Sequence, residues 1–219
     1  MDIAELIEKY PRLYHMAEDG AWPSIECHGL LSTSALLDLY GINGIERVSI
    51  ESAHRPGSTE INREGFTRAV VRDQKPMSDA GLARCLQDGL SPKEWYRILN
   101  GKTFFWLTER RLSVLLNARP YRALAHTVLV VDTASLVEAH EANLRLCPMN
   151  SGCTKPVPHP RGRRTFLPIS EYPIESRRHR GADAVVELAI EGGVPDIASH
   201  VISVRRMRSA TILGTIFES

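Results

Sequence analysis

The 219-residue chain is 43% hydrophobic and 24% charged with a formal net charge of +1, the profile of one globular domain that can bury a core without disulfides or metals. No apolar run approaches the ~20 residues that a bilayer-spanning helix requires, and the acidic amphipathic opening at residues 1–10 is unlike a basic-then-apolar secretory leader. The expectation is a cytoplasmic enzyme or binding domain with no membrane contact.

In chain order, residues 2–10 read as a helix that ends at Tyr10-Pro11, because the residue before a proline is pushed out of the helical region. Leu13-Tyr14-His15-Met16 reads as a short strand. Trp22-Pro23 opens a helix with proline in its first turn and Gly29 at its C-terminal cap. Residues 34–40 form another, stopped by Gly41. Residues 48–52 and 66–71 are expected to pair as an inserted polar hairpin, and residues 72–77 to form a turn. Helices follow at residues 78–85 and from Ser91, where Ser91-Pro92-Lys93-Glu94 has capping-box spacing. Asn100-Gly101 signals a turn, and residues 103–107, with three consecutive aromatics, a buried strand. Thr108 can cap a helix that carries Leu112, Leu115 and Leu116 at helical spacing.

Residues 127–131, β-branched or leucine throughout, read as a central strand, and Asp132 opens a short helix. From residue 147 to residue 181 the chain is rich in Pro, Gly and Arg and lacks periodicity, apart from a short strand at 165–167; a segment this long and irregular is functional or disordered. Residues 184–190 form a strand, 192–195 a turn, 196–198 a helical turn, and 200–204 and 210–216 the closing strands. The sum is a single α+β domain over residues 1–219 with about six to eight strands and no βαβ alternation.

Chemistry-bearing residues are sparse. No GxGxxG, GxxxxGK[ST], GxSxG or HExxH motif is present. Cys27, Cys85, Cys147 and Cys153 make no CxxC pair; only Cys147 and Cys153 with His159 could begin a zinc site, and reduced thiols without a metal are the expectation. Six arginines (Arg161, Arg163, Arg164, Arg177, Arg178 and Arg180) crowd residues 161–180 beside only Glu171 and Glu175, and Arg205, Arg206 and Arg208 form a second cluster. Such runs contact phosphates or are merely solvated surface. Within residues 184–190, period two places Val186, Leu188 and Ile190 on one face and Val185, Glu187 and Ala189 on the other. A carboxylate in so apolar a strand is costly unless it faces water at an edge or is paired in a cleft. His15 is a satisfied core histidine or a pocket residue, and the Phe104-Phe105-Trp106 strand is core or a stacking platform for a flat heterocycle.

Three blocks in order carry a resemblance. Leu13-Tyr14-His15-Met16 with Trp22 through His28-Gly29-Leu30-Leu31, then Thr103-Phe104-Phe105-Trp106-Leu107-Thr108-Glu109-Arg110-Arg111-Leu112, then Val186-Glu187-Leu188-Ala189-Ile190 running to Val194-Pro195 resemble NAD-dependent ADP-ribosyltransferases of the DarT type. The resemblance implies a split, mixed β-sheet core with flanking helices, NAD as co-substrate and no metal. It implies that His15 lies in the NAD pocket, that Gly29 and Leu30 shape its rim, that Phe105 or Trp106 stacks on the nicotinamide, and that Glu187 is the catalytic acid. Arg110, or alternatively Arg111, takes the place of the NAD-positioning arginine, although Leu107-Thr108-Glu109 stands where the family has a Pro-Arg pair. Met16 stands where the family's histidine is followed by threonine. Residues 147–181 take the place of the target-recognition loop, with Arg163, Arg164, Arg178 and Arg180 binding the acceptor. The implied activity is transfer of ADP-ribose to a nucleic acid, DNA above all, or to a protein, by a toxin or defence enzyme that could have an antitoxin partner. The alternatives are an NAD glycohydrolase, an RNA 2′-phosphotransferase-like enzyme, or a binding module without catalysis.

Overall fold

The computed structural model describes residues 1–219. Helix α1 (Ile3–Lys9) starts where the Asp2 carboxylate accepts from the Glu5 amide at 2.7 Å and ends before Pro11. Strand β1 (Arg12–Glu18) leads to α2 (Trp22–His28), with Pro23 in its first turn, then to the short β2 (Leu30–Leu31) and to α3 (Thr33–Tyr40), capped by Ser32. Residues 48–52, expected as a strand, instead end helix α4 (Gly44–Glu51). The Val48-Ser49-Ile50 alternation is too short to fix a period, and the Arg47–Glu51 ion pair at 3.2 Å needs the i,i+4 spacing of a helix. The hairpin does form, between β3 (Thr59–Ile61) and β4 (Ala69–Val71).

Helix α5 (Asp79–Ala83) precedes α6 (Pro92–Asn100), which carries the full reciprocal capping box of Ser91 and Glu94. Strand β5 (Lys102–Trp106) and helix α7 (Glu109–Leu116), capped by Thr108, follow as the sequence predicts. Next come β6 (His126–Asp132), α8 (Thr133–His140) and β7 (Leu144–Cys147), the last of which the sequence reading misses. Short α9 (Ile174–Arg177), β8 (Glu187–Glu191), β9 (Gly193–Val194), β10 (Val201–Arg208) and β11 (Thr211–Glu218) complete the chain.

The fold is α+β. Seven strands form one sheet in the order β11-β10-β6-β1-β5-β8-β7, and β2-β9 and β3-β4 form two small sheets. Every neighbouring pair in the large sheet is antiparallel, so the sheet is not mixed. The expected mixed sheet would need a parallel crossover pair, and none of these connections supplies one. β1 pairs with β6 along its whole length, from Arg12↔Asp132 to Glu18↔His126, yet meets β5 at the single pair Tyr14↔Trp106. The sheet is therefore parted between β1 and β5.

The main core, a cluster of 26 buried residues, lies on the face covered by α1, α2 and α8 and includes Leu6, Trp22, Leu136, Phe105 and Leu188. On the other face α5 and α6 cover Ala189 and Cys147, and α7 covers Met16 and Val128. The segment from residue 147 to residue 181 is neither a bare loop nor a strand at 165–167. Thr165 sits in a 3-10 turn, and Leu167 alone bridges to Leu146. Arg161, only 1% exposed, acts as its core, donating to the carbonyls of Ser151 and Cys153 at 2.8 Å and of His159 at 3.0 Å.

Candidate functional site

A cavity of about 380 Å³ opens where β1 and β5 part, and His15, Gly29, Leu30, Arg72, Trp106, Ser151 and Glu187 are among its lining residues. The divergence leaves room for a side chain where ladder bonds would otherwise run. His15 fills it, with Nδ1 2.8 Å from the Phe104 carbonyl. A carbonyl only accepts, so Nδ1 carries the hydrogen and Nε2 keeps its lone pair. Burial lowers the His15 pKa to about 4, outweighing the hydrogen bond to Phe104 that raises it, and the ring is neutral at physiological pH.

Glu187 is the first residue of β8, opposite Trp106 on one neighbour and Cys147 on the other. It is 4% exposed. The Ser151 amide donates to its Oε2 at 3.1 Å. Burial raises its pKa to about 7, against the lowering effects of Ser151, Cys147 and the Arg161 charge. Because Arg161 also holds the Ser151 carbonyl, it anchors the residue whose N–H addresses the carboxyl, through the peptide unit that follows it. The notion of an exposed edge glutamate is thus excluded by the position of β8 between β5 and β7.

Gly29 is at the rim with φ +87°, its backbone against Pro195. Leu30 contributes mainly backbone: its side chain belongs to the main core, it pairs with Val194, and its carbonyl accepts from Thr103 Oγ1 at 3.3 Å.

Of the two aromatic alternatives, strand parity selects one. Residues directly opposite in a ladder point to the same face, so Trp106 shares a face with Glu187, while Phe105, opposite Leu188, points into the main core and is 1% exposed. Phe105→Ala should cost about 3–5 kcal/mol of stability as a core truncation. Trp106→Ala should leave the fold largely intact and weaken binding of a flat heterocycle by ~1–3 kcal/mol. Thermal unfolding alongside calorimetry separates the two; equal stability losses would mean that the parity assignment fails.

The arginine assignments need correction. Arg110 and Arg111 do not line the cavity; both pair with Asp183, Arg111 at 2.9 Å. The Thr108 cap starts α7 in a frame that turns both side chains toward the segment preceding β8. The cavity's cations are Arg55, Arg68, Arg72, just after β4, and Lys102; Arg68 pairs with Glu60 at 2.6 Å and Lys102 lies 3.8 Å from Glu191. Arg55 is committed to the Asn100 side chain at 3.0 Å and to the Ile50 and Arg72 carbonyls. Arg72 donates one N–H to the Met16 carbonyl at 2.9 Å and stacks 5.1 Å from the Tyr121 ring, while its buried Nε has no hydrogen-bond partner.

Arg163, Arg164, Arg178 and Arg180 are exposed, and none lines the cavity. Arg178 pairs with Glu175 at 2.6 Å and with Glu5 of α1 at 3.1 Å, and Arg164 lies 3.6 Å from Glu171. Only Asn150, Ser151 and Gly152 of the irregular segment reach the cavity, because Arg161 folds the rest back on itself. Cys147, Cys153 and His159 form no ligand set; the two thiols address the Met149 and Lys155 carbonyls instead. Arg72, Ser151 and Arg161 are the site residues that sequence reasoning misses.

No helix is long and apolar enough to cross a membrane. None of the curated proteins matches the sequence. The model of the family of unknown function DUF7002 matches residues 11–201, and the chain belongs to that family.

Proposed function

We propose that this DUF7002 protein is an NAD-dependent mono-ADP-ribosyltransferase that works in the cavity of the parted sheet. The observation that carries the reading is Glu187, a carboxyl buried in that cavity on one side of the parting, with His15 on the other. The residues present fit NAD. The buried Arg72 Nε lacks a partner, with the nearest acid, Glu18, at 3.9 Å, and a pyrophosphate oxygen would supply one. Trp106 offers a ring face on the Glu187 side.

The bond to break joins the nicotinamide nitrogen to ribose C1′. As it breaks, the electron pair leaves with nicotinamide and positive charge spreads over C1′ and the ring oxygen. Ionised Glu187 accepts a hydrogen bond from a ribose hydroxyl and stabilises that charge. His15 Nε2, which keeps its lone pair, accepts from a second hydroxyl and orients the sugar. An acceptor oxygen or nitrogen then bonds to C1′ and loses its proton to solvent.

This role gives a pH dependence with a definite sign. Glu187 is neutral below its raised pKa of about 7, and the neutral acid cannot stabilise a cation. kcat/KM for NAD, which reports free-enzyme groups, should rise with pH through about 7 and level off above it. A profile flat from pH 5.5 to 8.5 would contradict this role.

One observation favours a second reading for the acceptor. None of the four arginines lines the cavity, which leaves an NAD glycohydrolase, with water as acceptor, alongside transfer to nucleic acid or protein. Mass spectrometry of NAD incubated with the protein, alone and with DNA, RNA or a protein extract, distinguishes them. Acceptor-dependent nicotinamide release with an ADP-ribosyl adduct supports transfer, acceptor-independent release supports hydrolysis, and no release under any condition rejects both.

A further inference from the structure

Outside the cavity lining, three side chains converge that the NAD reading does not use. His140 ends α8, and Asp196 and His200 flank a single 3-10 turn before β10. His140 Nε2 lies 2.7 Å from one Asp196 oxygen, and His200 Nε2 lies 3.2 Å from the other. One ligand atom from each residue lies within 4.8 Å of the others. The His200 ring is held from behind: its Nδ1 is 3.1 Å from Ser135 Oγ on α8, and the residue is 7% exposed.

We propose that His140, Asp196 and His200 form a binding site for one divalent first-row metal ion, with zinc the best match. Two imidazole nitrogens and one carboxylate oxygen are a zinc donor set, and metal–ligand lengths of about 2.0–2.2 Å set neighbouring donors about 3.2–3.6 Å apart in a tetrahedron. The separations here bracket that range, so small side-chain rotations bring the three donors to it. Ser135 provides the outer hydrogen bond that aims His200 Nε2, as metal-ligating histidines generally require. On binding, each neutral imidazole gives its Nε2 lone pair to the metal and carries its one hydrogen on Nδ1, where His200 donates it to Ser135 Oγ, so neutral rings release no net proton. Asp196 is 49% exposed at its side chain, which leaves a fourth position open to water. The bound metal would tie the end of α8 to the β9–β10 connection, where Pro195 packs against Gly29 at the cavity rim.

The test uses the chelator-treated full-length protein titrated with Co²⁺ alone and with Zn²⁺ alone. The expected result is one ion per chain, visible Co²⁺ bands without a thiolate charge-transfer band, and a rise in unfolding temperature with Zn²⁺. Asp196→Asn and His140→Gln, both at positions not fully buried, should each weaken binding by more than ~100-fold, and Ser135→Ala by about 10–100-fold. Circular dichroism of each metal-free variant controls for folding. No binding, a sulfur-to-cobalt band, or wild-type affinity in the folded Asp196→Asn and His140→Gln variants would each overturn the site.

Discussion

Glu187→Gln should leave NAD affinity within about tenfold of wild type while nicotinamide release falls by at least ~10²-fold, the scale for losing one preorganised electrostatic group. The asymmetry follows from when charge appears. Ground-state NAD has no cation at C1′, so a carboxylate there contributes to the transition state and little to binding. Glutamine keeps the shape and can still accept from the ribose hydroxyl. It also removes the cost of ionising a carboxyl whose pKa burial has raised to about 7, so the variant should fold at least as well as wild type. Glu191, at the far end of β8, is exposed and lies 3.4 Å from Arg145 and 3.8 Å from Lys102. Glu191→Gln should keep near-normal turnover. Calorimetry with NAD and initial-rate measurements check both variants; a Glu187→Gln enzyme with undiminished rate would remove the carboxyl from the chemistry.

Gly29→Ala is the second large effect, and it acts through the fold. At φ +87° an added Cβ would sit 2.5 Å from the Pro195 Cα and 2.7 Å from the Pro195 carbonyl oxygen, both backbone atoms that cannot swing aside. Left-handed strain and the clash together should cost about 3 kcal/mol or more. For a chain of this size that corresponds to a drop of roughly 6–12 °C in Tm. Gly20 has a similar φ of +78° but open space around it, so Gly20→Ala isolates the strain and should cost only about 1–2 kcal/mol. Thermal unfolding by circular dichroism compares them, and equal losses would show that the close approach to Pro195 is not a constraint. Since β2 and β9 pair beside that contact, with Leu30 opposite Val194, the glycine sets how the rim of the cavity closes.

What was legible in the sequence was local and strongly signalled. The Ser91 capping box, the Thr108 cap, the aromatic strand β5 and the Glu187 strand all depend on residues within a few positions of one another, and each formed. Strand β7 was missed because Leu144-Arg145-Leu146-Cys147 is short and carries a charge; pairing with β8 along Leu144↔Ile190 to Cys147↔Glu187 makes it a strand. The site was legible in its strands and illegible in its loops. His15 and Glu187 sit on elements whose period marks them as unusual. Arg72 lies in a stretch that reads as a plain turn, and only the long-range packing of the β3–β4 hairpin brings it to Met16 and Tyr121. Arg161 reads as one more arginine in a basic run. Burial and three carbonyl partners, none encoded by spacing, make it the organiser of the loop over Glu187.

The central claim is that this cavity breaks the nicotinamide–ribose bond, and proton NMR of NAD in the presence of the protein tests it most directly. At pH 8, where Glu187 is ionised by its pKa of about 7, the account predicts that the nicotinamide and anomeric ribose signals of NAD decay together as free nicotinamide accumulates. The same sample with Glu187→Gln should show line broadening from bound NAD but almost no decay. NAD signals that stay sharp and undiminished with wild-type protein, with and without nucleic acid or a protein extract, would contradict the account.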